Sequence, residues 1–179
     1  HTASSMPQPS LEGIRILLAE DGEDNQMLIR TILSKAGAKV DLADHGALAV
    51  EQVHRNEYDV ILMDMQMPVM DGYAATKRLR QEGYAKPILA LTAHAMAQDK
   101  KKCLEIGCDD HLTKPINRIA LLNRVAEYAA RSRKLSFGGV AMQNEPLVGY
   151  SVVTSEYAGD PDLADILNDF VNGLPQKLQ

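Results

Sequence analysis

The chain has 179 residues, enough for one domain plus a further piece, or for two small ones. Hydrophobic content of 45% and charged content of 24% are ordinary for a soluble globular protein, and no apolar stretch approaches the roughly 20 residues of a membrane-spanning helix. A formal net charge of -5 works against nonspecific binding to DNA or to an anionic membrane.

Residues 1–10, opening His1-Thr2-Ala3-Ser4-Ser5, read as a disordered or artificial leader, with no signal peptide visible. Residues 14–19 form a buried strand. Asp24 or Asn25 can cap a helix carrying Leu28, Ile32, Leu33 and Ala36, which Gly37 ends. Residues 39–43 alternate as a half-exposed edge strand should, and Ala47, Val50 and Val53 mark a second helix. Residues 60–63 are a third strand, 72–81 a helix, 87–91 a fourth strand and 98–106 a helix that Gly107 terminates. Residues 110–113 are a short fifth strand, and Ile119, Leu122, Val125, Ala126 and Ala129 share one face of a last helix. Five strands separated by helices predict a parallel α/β sheet covered on both faces.

The pattern breaks after Arg131. Residues 132–155, with Phe137-Gly138-Gly139 and Asn144-Glu145-Pro146, read as a linker. Asp160-Pro161 then looks like a helix start, and Leu163, Ile166, Leu167, Phe170, Val171 and Leu174 make one apolar stripe before Pro175. A single amphipathic helix cannot bury its own stripe, so this C-terminal helical extension needs a partner surface. Cys103 and Cys108 have neither zinc nor redox spacing and read as inert core thiols of a cytosolic protein.

The strand ends carry the chemistry. The first strand runs into Glu20-Asp21, the third into Asp64, the fourth into Thr92, and His111-Leu112-Thr113 leads to Lys114-Pro115. In a parallel sheet these groups meet at one edge, where open α/β sheets bind ligands. Crowded carboxylates repel one another unless a cation fills the site. Mg²⁺ suits Glu20, Asp21 and Asp64, with a backbone carbonyl from the loop after Asp64 as a further oxygen ligand. Asp64 ends the central strand and is the best nucleophile toward a phosphoryl group, giving an aspartyl phosphate. Lys114 and the Thr92 hydroxyl would contact phosphoryl oxygens in the transition state. Taken singly, each residue has an ordinary explanation: helix entry for Glu20-Asp21, a strand end for Asp64, structure for Thr92, a solvated charge for Lys114. Their joint placement at successive strand ends is what demands a function.

Residues 11–131 resemble a response-regulator receiver domain, the phosphoacceptor module of two-component signalling. The resemblance rests on Leu18-Ala19-Glu20-Asp21, Met63-Asp64-Met65-Gln66-Met67-Pro68 with Met70-Asp71-Gly72, Ala90-Leu91-Thr92-Ala93 and Thr113-Lys114-Pro115, in order and spacing. It implies a flavodoxin-like doubly wound sheet of order 2-1-3-4-5. It also implies transfer from a partner's phosphohistidine to Asp64, with Mg²⁺ on Glu20, Asp21, Asp64 and the Gln66 carbonyl. The Lys114–Pro115 bond is expected to be cis. After phosphorylation Thr92 is expected to move and the residue at position 111 to turn inward, changing the face of the fourth helix, fifth strand and fifth helix, which could also serve as a dimer surface. Position 111 is His rather than Tyr or Phe, so this switch could be proton-linked. His94, two residues after Thr92, is either a solvent-facing residue or a modulator of dephosphorylation.

The tail around Asp160-Pro161-Asp162-Leu163 is similar to the opening helix of a histidine phosphotransfer domain, at residues 156–179, without a histidine of its own. With Asn25-Gln26 and Leu91-Thr92-Ala93-His94-Ala95 it suggests a receiver cut from a hybrid sensor histidine kinase. The expected partners are a histidine kinase or phosphotransfer domain as phosphodonor or acceptor, not nucleic acid or membrane. The expected location is the cytoplasm, even if the parent is membrane-anchored. The fragment's own catalysis would be limited to its phosphorylation and dephosphorylation. Two other classes compete. An aspartate-nucleophile phosphatase lacks the second acid two residues beyond Asp64, where Gln66 stands. A receiver-like docking module would not need the acidic, hydroxyl and lysine positions intact.

Overall fold

Strand and helix periods alternate in the chain, and each strand–helix pair folds as one layer of a sheet and its cover. The structure is a computed structural model that describes residues 8–137. Its elements are β1 (Arg15–Ala19), α1 (Glu23–Lys35), β2 (Lys39–Ala43), α2 (Gly46–Arg55), β3 (Val60–Asp64), α3 (Gly72–Gln81), β4 (Ile88–Thr92), α4 (Ala97–Glu105), β5 (Asp110–Thr113) and α5 (Arg118–Phe137). All neighbouring strands pair in parallel in the order β2-β1-β3-β4-β5, the flavodoxin-like arrangement. Every residue of β3 and β4 is buried, as central strands covered on both faces must be. The edge strand β2 keeps exposed positions.

Strand alternation divides the core in two. Ile16, Leu18, Val60, Leu62, Leu89 and Leu91 pack with Ile29 and Leu33 of α1 and Leu121, Leu122, Val125 and Ala129 of α5. Leu17, Ala19, Ile61, Met63, Ile88 and Ala90 pack with Ala49 and Val50 of α2, Ala75 and Leu79 of α3, and Cys103 of α4. A one-residue slip of any strand would exchange these two sets, so register is strongly specified. Gly37, at φ 102, closes α1 in the left-handed conformation that glycine adopts without strain.

Two local expectations change. The N-cap of α1 is Gly22, without a side-chain cap, rather than Asp24 or Asn25. The helix starts earlier because Glu20 Oε1 takes the Gly22 N–H at 3.2 Å and draws the Asn25 side chain to itself at 3.1 Å. At the other end α5 continues past Arg131 into the expected linker. Ser132 is buried, and Arg133 Nη2 donates to the Gly13 carbonyl at 2.7 Å and lies 3.4 Å from Asp59 Oδ2. Such polar anchoring leaves no apolar period to read. The remainder of that linker and the phosphotransfer-like helix at 156–179 lie outside the described residues.

Candidate active site

Parallel strands deliver their C-terminal ends to one edge. Glu20 and Asp21 follow β1, Asp64 and Thr92 are the last residues of β3 and β4, and Lys114 follows β5. Lys114 is drawn in by its own N–H, which donates to the Thr92 carbonyl at 2.7 Å, and the Lys114–Pro115 bond is cis. One carboxylate oxygen from each of Glu20, Asp21 and Asp64 lies within 4.8 Å of the others. Glu20 and Asp64 are buried, at 1% and 4% exposure, while Asp21 faces solvent.

Asp64 Oδ1 accepts the Gln66 backbone N–H at 3.0 Å, and Oδ2 accepts the Lys114 ammonium at 2.6 Å. Burial pushes the Asp64 carboxyl above the usual aspartate range, and the Glu20 charge pushes it the same way. The Lys114 and Gln66 hydrogen bonds pull it down without cancelling the rise. Lys114 is opposed by burial, but its bonds to Asp64 and Glu20 outweigh this and hold the ammonium above the ordinary lysine value. Its Nζ lies 2.7 Å from Glu20 Oε2, an oxygen that accepts no aligned hydrogen bond. Two of the three carboxylates thus share one ammonium at a cleft. The hard oxygen donors, their spacing and the excess negative charge fit a divalent cation such as Mg²⁺.

The loop after Asp64 is shaped by contacts that leave little room. A Cβ on Gly72 would sit 2.1 Å from the Asp64 carbonyl oxygen and 2.7 Å from Met65 Cε, so α3 can start this close to the site only from glycine. Asp71 caps α3, its Oδ1 accepting the Ala74 N–H at 2.8 Å. In the same loop Val69 has φ 67, in the left-handed region that a β-branched residue rarely occupies. Met65 and Met67 are buried and, with Asp21, Gln66, Asp71 and Tyr73, line a cavity of about 510 Å³ beside the carboxylates. Met65 and Met67 pack at the mouth of the site.

The expected switch residues are placed but not all engaged with the carboxylates. Thr92 is 4% exposed, and its Oγ1 donates to the His94 carbonyl at 3.0 Å, toward the β4–α4 loop. His94 is exposed, and its described contact to the site is this backbone oxygen. His111 pairs with Ala90, and Thr113 with Thr92, so strand alternation puts His111 and Thr92 on the same face of adjacent strands. The His111 ring is 23% exposed, and its Nδ1 lies 3.5 Å from Asp110 Oδ1. Sequence reasoning missed Gly22 and Asn25 as partners of Glu20, and the steric demand at Gly72. In the sequence Asn25 is legible as a helix-cap candidate and motif residue, and Asp71-Gly72 as part of a motif.

This fold and this edge define a phosphoacceptor-type receiver. The sequence model described as the response regulator receiver domain matches residues 16–126, and the chain belongs to that family. It is thus a receiver domain of two-component signalling. It is 39% identical over 150 residues to the sensor histidine kinase GacS of Pseudomonas protegens, covering 80% of this chain and 15% of that protein. The chain therefore spans only a small part of the kinases it matches. The receiver domain of the sensor histidine kinase PA1611 of Pseudomonas aeruginosa, crystallised with a magnesium ion coordinated in its active-site cleft, superposes with TM-score 0.62 at 41% identity. That match covers 66% of this chain and 98% of the other. The receiver domain of Ssk1 of Saccharomyces cerevisiae, solved in complex with the histidine phosphotransfer protein Ypd1, superposes with TM-score 0.62 at 32% identity, covering 70% and 92%. Among the described residues no helix is long and apolar enough to cross a membrane.

Proposed function

We propose that Asp64 takes a phosphoryl group from a phosphohistidine, with Mg²⁺ held by Glu20, Asp21, Asp64 and the Gln66 carbonyl. The observation that carries this reading is the placement of Asp64: a buried carboxylate at the end of the central strand, 2.6 Å from the Lys114 ammonium and clustered with two further carboxylates. An Asp64 oxygen forms the new O–P bond as the donor's N–P bond breaks, and the imidazole leaves neutral once its other nitrogen carries a proton. When bound, the cation offsets charge on the phosphoryl oxygens. Lys114 already sits beside the acceptor oxygen and follows the phosphoryl group. The Gln66 N–H keeps the other Asp64 oxygen oriented.

Thr92 turns its hydroxyl from the His94 carbonyl to the phosphoryl group, and His111, on the same face of the sheet, follows. The surface of α4, β5 and α5 then changes, and a dimer through that face is one output. His94, two residues after Thr92, is the modulator of dephosphorylation in this reading. The donor is a histidine kinase or histidine phosphotransfer domain, and the parent is a hybrid histidine kinase with the receiver at residues 11–131. Exposed Met27 and Leu28 on α1 offer apolar surface for such a donor, and the Ssk1–Ypd1 complex supports pairing with a phosphotransfer protein. The free thiols of Cys103 and Cys108 support a reducing, cytoplasmic setting.

The test is to incubate the chain and its Asp64→Asn variant with Mg²⁺ and a small acyl phosphate. Intact mass rises by one phosphoryl group in the parent alone. A gain in both proteins would place the acceptor elsewhere.

A further inference from the structure

We infer that Asn25 is a positioning residue for the cation site, acting through the carboxylate of Glu20; this rests on the metal-dependent reading above. Glu20 reaches the cluster on a side chain with one more torsion than the aspartate beside it, and freezing that freedom costs entropy. The structure supplies restraints on both of its oxygens. Oε1 accepts the Asn25 Nδ2–H at 3.1 Å and the Gly22 N–H at 3.2 Å, and Oε2 faces Lys114 Nζ at 2.7 Å. Asn25 stands in the first turn of α1, yet it does not cap that helix, whose N-cap is Gly22. Its amide is spent on Glu20 instead.

The choice of an amide has a physical consequence. An uncharged donor fixes the plane of the carboxylate while leaving its full negative charge for a cation. An ammonium or guanidinium at this position would neutralise it, and a carboxylate would repel it. Lys114, the other partner, also serves Asp64, so it cannot hold Glu20 alone once it follows a phosphoryl group. Asn25 is the side-chain restraint on Glu20 that survives that movement. Partners that orient a metal ligand in this way affect metal affinity by about tenfold or more when removed.

The experiment is a double-mutant cycle on the full chain, reading Mg²⁺ affinity by titration calorimetry, with Mn²⁺ as a second probe, and the melting temperature in EDTA. Asn25→Ala and Asn25→Leu, the latter with the branched outline of Asn but bulkier and unable to donate, each weaken Mg²⁺ binding by about tenfold, and the EDTA melting temperature of Asn25→Ala stays near that of the parent. In a Glu20→Gln background the Asn25→Ala change alters the affinity by less than about twofold, because the group it acts through is already changed. Parent-like binding by both variants overturns the inference. So does an equal loss in the Glu20→Gln background, which would mark a general structural role. A parent chain that takes up neither cation overturns the metal reading together with this one, whereas a parent that binds and variants that bind equally well sink the Asn25 role alone.

Discussion

Lys114 Nζ lies 2.6 Å from Asp64 Oδ2, across fifty positions of sequence. The same ammonium is 2.7 Å from Glu20 Oε2, so one cation compensates two buried carboxylates. Among the described residues, Lys114 is the cationic side chain paired with these two carboxylates.

Lys114→Met should therefore destabilise the metal-free protein. Breaking a fully buried pair from one side costs about 3–5 kcal/mol. Lys114 is 21% exposed, and solvent screening lowers the expected loss to about 2 kcal/mol. Urea unfolding in EDTA measures it, and adding Mg²⁺ should recover part of the loss. An unchanged urea midpoint in EDTA would mean that the ammonium does not compensate the carboxylates.

Gly72→Ala should lower both stability and phosphoryl uptake. The added methyl would meet the Asp64 carbonyl oxygen at 2.1 Å, a backbone atom of the proposed acceptor. Overpacking of this kind costs about 1–3 kcal/mol, and the displaced β3 end carries Asp64 with it. Mass-detected phosphorylation from a small acyl phosphate should slow in proportion to a loss of Mg²⁺ affinity. Full activity with unchanged stability would show that the loop can absorb the methyl group.

Tyr58 should report on alkaline stability. Its hydroxyl donates its one proton to Asp41 Oδ2 at 2.9 Å, with Gln52 Oε1 as a competing acceptor at 3.1 Å. Burial first, and the Asp41 acceptor second, push its pKa up to about 12. The unfolded value is about 10, so the folded state favours the neutral phenol. The stabilisation is complete below pH 10 and is lost as pH rises through 12. Chemical denaturation of the parent and Tyr58→Phe across this window should give a steeper fall for the parent. Parallel curves would exclude the coupling.

Much of this architecture is legible in the chain because hydrophobic period is a local property. The unbroken runs at 60–63 and 87–91 mark central strands, and alternation at 39–43 marks the edge, since a strand's neighbours on each face dictate its pattern. Glu20, Asp21, Asp64, Thr92 and Lys114 are legible as a set because parallel pairing sends every strand end to one edge. The start of α1 was not, because the N–H of Gly22 answers to Glu20 rather than to a capping side chain. The last turns of α5 escaped for the same kind of reason: Arg133 reaches a backbone oxygen 120 positions away.

Sequence by itself determined the alternation of strands and helices, the strand that ends in Asp64 and the chemical inventory of the edge, because apolar period and strand-end position are encoded within a few residues. Tertiary structure alone decided that the Lys114 ammonium bridges Asp64 and Glu20, that Thr92 turns its hydroxyl to the His94 carbonyl, and that the Asn25 amide holds Glu20 instead of capping a helix. Those choices depend on side-chain torsions and on which donor wins each oxygen after the sheet has closed, a competition among groups distant in the chain that no local pattern records.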